Sequence, residues 1–185
     1  MKKILTILLL LVSLISFSQE YYRDTTIERA VFNEVNRHRD SMGVHIVRFN
    51  PDNKRAIPWA ETLVKQDLEN GRNLHHCGCQ PGVEIIARTI IGDKNTITKS
   101  VKEIASDIVL LWDVSLAHKK GMEDIEVTRG FNAVYIYKSV QFDGRYVALS
   151  VFQLIKDKDY YTDLDWDENE AVPDAFLEVY ERTRK

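Results

Sequence analysis

From Thr25 onward, Ile27, Val31 and Val35 fall four residues apart with Ala30 and Phe32 beside them, while Arg29, Glu34, Arg37 and Arg39 take the other side. This period predicts an amphipathic helix. Met42-Gly43 ends it, glycine accepting a left-handed cap without a Cβ penalty. Ala60, Leu63, Val64 and Leu68 line one face of a second helix that starts near Pro58 and stops at Asn70-Gly71. Proline suits a first turn, and the residue before it is biased away from helix. A third helix opens on Ser100 and Glu103, whose spacing is that of a capping box; Val101, Ile104, Ala105, Ile108, Leu111 and Trp112 form its apolar face.

Beyond Gly130 the pattern changes. AVYIYKSV and RYVALSVFQLI are rich in β-branched and aromatic residues and flank Asp143-Gly144, so they read as an antiparallel hairpin. Val83 to Ile91 reads as a further strand. The order helix, helix, strand, helix, strand, strand argues for an α+β or layered α/β/α domain and against a doubly wound parallel sheet.

The N-terminus has a different character. Lys2 and Lys3 precede an aliphatic run from Ile4 to Ile15 and then SFSQ, the pattern of a cleaved signal peptide over 1–19; a retained anchor is the alternative. The run is short for a bilayer span, and no later stretch is long and apolar enough to anchor the chain. The expected product is exported, secreted or periplasmic, and not an integral membrane protein after cleavage. The remaining 166 of 185 residues suit one domain over 20–156, followed at 157–185 by an acidic extension with a short helix in VPDAFLEVYERTRK. Loss of the two lysines takes the formal charge from −3 to −5, and no basic stripe is present, which speaks against a nucleic-acid partner.

Chemistry concentrates in NLHHCGCQPGVEIIA, residues 73–87. His75 and His76 follow the second helix, Glu84 lies in the next strand, and His118 comes six residues after Trp112. Two histidines from separate loops plus a carboxylate can make an open metal site or an acid–base pair. The bland alternative is a histidine bonded to a loop carbonyl. His38 sits among charges within the first helix and reads as solvated; nothing near His45 supports a role. Cys77 and Cys79 flank Gly78, and in an exported chain a local disulfide is the preferred reading, with free thiols or a metal site as the others.

The stretch VFNEVNRHRDSMG resembles the opening helix of the CAP superfamily (cysteine-rich secretory, antigen 5 and pathogenesis-related 1 proteins), with Asn33, Asn36 and Arg39 at matching places. Ala56, Trp59 and Ala60 fit its AxxWA, VEIIA aligns Glu84 with GENIA, and WDVSLAH sets Trp112, Ser115 and His118 in register with the WxNSPGH of shorter bacterial members. Val83, Ile85, Leu116 and Ala117 depart from those motifs. The resemblance spans Ile27 to Phe152. It implies a three-layer α/β/α sandwich with a mainly antiparallel central sheet and a ligand cleft lined by His75 or His76, Glu84, Ser115 and His118.

His76, the nearer to Glu84, is taken as the inward one, and with His118 it is the candidate pair for zinc or another divalent metal. The favoured function is a non-enzymatic module that binds a small molecule, lipid or protein. The alternative is a metal-dependent hydrolase with Glu84 as base. Neither an HExxH helix nor a GxSxG elbow is present.

Overall fold

The computed structural model describes residues 20–49, 56–77 and 82–156. The expected signal peptide (1–19), the expected acidic extension with its short helix (157–185) and Cys79 lie outside the described residues. The elements are β1 (Tyr21–Arg23), α1 (Thr25–Ser41), β2 (Arg48–Phe49), α2 (Ala56–Asn70), β3 (Val83–Ile90), α3 (Val101–Asp113), α4 (Leu116–Met122), β4 (Arg129–Ser139) and β5 (Arg145–Ile155). The fold is α+β, with a mainly antiparallel sheet.

β4 and β5 form the centre of the sheet, paired from Arg129↔Ile155 to Ser139↔Arg145. Their turn places Asp143 and Gly144 at φ 55° and 76°, the left-handed values that an Asp-Gly hairpin supplies cheaply. β3 pairs antiparallel with the free side of β5, and β1 with that of β4; the two-residue β2 adds the parallel pairing, at Arg48↔Arg129. The order is therefore β1-β4-β5-β3, with β3 at an edge.

Both faces of the sheet are covered. Ile85, Ala87, Val134, Ile136, Ala148, Phe152 and Leu154 share a core with Val31 and Val35 of α1 and Ile104, Ile108 and Trp112 of α3. Ile86, Ala133, Tyr135, Tyr137, Val147, Leu149 and Val151 face Ala56, Ala60, Leu63 and Val64 of α2. A strand buried on both sides has no wet face to encode, which is why these runs read as continuously apolar.

Helix limits follow local chemistry. Asp24 caps α1 by accepting from the amides of Thr26 and Ile27, each at 3.0 Å, and Gly43 at φ 71° terminates it. Ser100 and Glu103 complete their capping box. α2 begins at Ala56, so Pro58 sits within its first turn, where no intrahelical donor is needed.

The buried face of α3 differs from the expected one. Val109 is buried, whereas Val101 and Leu111 are exposed, Leu111 by 43%. Arg39, expected on the solvent side, is fully buried. Its guanidinium donates to the carbonyls of His45 (2.9 Å), Met122, Asp124 (3.2 Å) and Val127 (3.3 Å), so hydrogen bonds compensate the burial. Asn36 similarly holds Val47 at both its amide (2.9 Å) and its carbonyl (3.1 Å), while Asn33 is exposed.

Candidate functional site

The edge position of β3 brings three of the expected residues together. His76 lies in the connection between α2 and β3, Glu84 is the second residue of β3, and His118 is the third residue of α4. α4 can lie on β3 because Gly121 lacks a side chain: a Cβ there would stand 2.4 Å from Val83 Cγ1.

Glu84 organises the site. Its Oε1 accepts from the Cys77 amide at 3.0 Å and faces His76 Nδ1 at 3.1 Å, while Oε2 is buried without a hydrogen-bond partner among the described residues. The His76 ring lies 5.6 Å from that of His118 at an interplanar angle of 63°. Burial, and secondly the electrostatic effect of nearby His76, push the His118 pKa below its usual 6.5, favouring the neutral imidazole, whose free nitrogen can bind a metal or accept a proton. With His76 Nδ1 committed to the carboxylate, its Nε2 is the nitrogen left for a ligand. A carboxylate that orients a ligating imidazole in this way is a recurrent support of metal sites.

His75 is not part of this group. Its ring packs edge-on against Trp59 at 5.3 Å, and its Nδ1 lies 3.4 Å from the Asn73 carbonyl. Alternation along an extended segment turns adjacent side chains to opposite sides. Ser115 occupies the cap position of α4 without a side-chain cap bond, and no hydrogen bond joins it to the histidines. Cys77 is disulfide-bonded.

Imidazole nitrogens and a carboxylate are donors that zinc accepts, so the residue types fit. The geometry is looser. Among the described residues, the three-residue group whose candidate ligand atoms all lie within 4.8 Å of one another is a different one: His38, Asp113 and Glu123. His38 and its carboxylates escaped the sequence reading because 75 and 85 residues separate them from it; the legible signal was limited to a histidine beside Arg39.

The α3–α4 corner just before His118 exposes Leu110, Leu111, Val114 and Leu116. No helix among the described residues is long and apolar enough to cross a membrane.

No family model and no curated protein matches the chain. Among solved structures, an outer surface protein from Borrelia burgdorferi is similar, at 12% identity, with a TM-score of 0.43 and coverage of 71% of this chain and 96% of that chain. A likeness of that size assigns neither a family nor a function.

Proposed function

We propose that the chain is an exported, CAP-like domain, a three-layer α/β/α sandwich that acts as a non-enzymatic binding module through the edge cleft of His76, Glu84 and His118. The observation that carries this reading is the bond from Glu84 Oε1 to His76 Nδ1 with the His118 ring 5.6 Å from that of His76. It supports a site in which His76 and His118 hold zinc or a similar divalent ion and Glu84 fixes the His76 tautomer. The exposed leucines and valine at the α3–α4 corner support an apolar ligand or partner beside it: a small molecule, a lipid or a protein surface. The N-terminal pattern supports secretion or a periplasmic location.

The alternative, a metal-dependent hydrolase with Glu84 as base, is less well supported. A general base must reach a water, and here one carboxylate oxygen is engaged while the other is shielded from solvent.

Zinc titration by calorimetry, alongside ester and peptide hydrolysis assays, tests both readings. Zinc binding that weakens at least about tenfold in His118→Ala and Glu84→Gln, without turnover, is expected. Zinc-dependent turnover lost in His118→Ala would replace the binding module with the hydrolase, and unaltered zinc affinity in both variants would remove the metal from the cleft. Mass spectrometry of an organic extract of the purified protein tests for a co-purified lipid.

A further inference from the structure

We propose a second divalent-cation site, separate from the edge cleft, formed by His38 of α1, Asp113 at the end of α3 and Glu123 at the cap of α4. His38 Nε2 lies 3.1 Å from Glu123 Oε1 and 3.9 Å from Asp113 Oδ1, and the three atoms lie within 4.8 Å of one another. All three side chains are partly buried. The imidazole distinguishes this group from an acidic surface patch: one nitrogen and two carboxylates are the donors preferred by zinc and its first-row neighbours, whereas calcium and magnesium favour oxygen alone.

The framework that holds these donors does not depend on an ion. Arg39, the neighbour of His38, is fully buried and binds the carbonyls of Met122 and Asp124, the residues on either side of Glu123. Two of the three donors are therefore positioned by a hydrogen-bonded guanidinium that belongs to the core.

A cation already stands at the mouth of the group. Lys119 Nζ lies 2.8 Å from Asp113 Oδ1 and 3.7 Å from Glu123 Oε1, one positive charge against two carboxylates. A partly exposed lysine on a flexible stem can swing into solvent and give way to a divalent ion. A bound ion would tie α1, α3 and α4 together and brace the helix that carries His118, the residue next to Lys119.

Cobalt absorbance titration and zinc calorimetry of the purified chain carrying His118→Ala isolate this site from the edge cleft. One equivalent is expected to bind and to raise the melting temperature. His38→Gln and Glu123→Gln should each weaken binding by at least about tenfold. Lys119→Met should strengthen it several-fold, a gain that misfolding cannot imitate. Failure of the His118→Ala protein to bind either metal, or residual binding indifferent to both His38→Gln and Lys119→Met, would reduce the group to an ion-pair cluster only. Because the background lacks the cleft histidine, this result stands apart from the fate of the edge cleft.

Discussion

Arg88 and Asp67 meet in the interior, Nη1 2.5 Å from Oδ2, with side chains 4% and 0% exposed. The same Asp67 accepts from Tyr137 Oη at 2.9 Å, Ser139 Oγ at 2.5 Å and the Gln141 amide at 3.1 Å. One carboxylate thus ties α2 to β3 and to the β4–β5 turn. Burial pushes the Tyr137 hydroxyl pKa well above its usual value, which favours the neutral hydroxyl that donates to Asp67.

Removing the charge from Asp67 strands a buried guanidinium. Asp67→Asn is expected to cost about 3 to 5 kcal/mol in urea unfolding, because a buried ion that loses its partner is strongly unfavourable. The double variant Asp67→Asn with Arg88→Met should recover part of the loss. A cost below about 1 kcal/mol for the single change would show that the pair does not hold α2 to the hairpin.

Arg39→Lys should destabilise the protein by about 2 to 4 kcal/mol, since an ammonium cannot match the guanidinium fork that reaches four carbonyls. Hydrogen exchange should rise in residues 122–128 before it rises in β4 and β5. Uniform loss of protection across the sheet would argue against a local clamp.

His118 makes stability depend on pH in a defined direction. Its folded pKa lies below its unfolded value of about 6.5, so near that pH the unfolded chain binds more protons. Stability is complete above about pH 6.5 and falls as pH drops toward the folded pKa. His118→Gln should flatten this slope, as read from unfolding free energies at a series of pH values. An unchanged slope would show that His118 is as solvated in the folded protein as in the unfolded one.

Ser100→Ala removes one half of the capping box and is expected to cost about 1 kcal/mol. The loss should be confined to the start of α3 and visible as faster amide exchange at Glu103, whose amide donates to Ser100 Oγ at 3.3 Å.

Elements that carry their own start and stop chemistry could be read directly from the chain. The first helix has Gly43, the third has its capping box, and the hairpin has Asp143-Gly144; each is decided within a few residues. The two-residue β2 and the three-residue β1 carry no such signal. They become strands because β4 presents open backbone partners to them. α4, with Gly121 pressed against Val83, is also defined by what it packs on.

The candidate site divides along the same line. That imidazoles and a carboxylate crowd residues 75–84 and recur at His118 is a property of the amino-acid order, as is the division into helices and a β-rich C-terminal half. Which histidine turns toward Glu84, that Arg39 enters the core, and that His38 meets Asp113 and Glu123 were decided by tertiary structure. Those outcomes depend on the approach of segments up to 88 residues apart, set by how α1, α3 and α4 pack, and no local pattern along the chain encodes that distance.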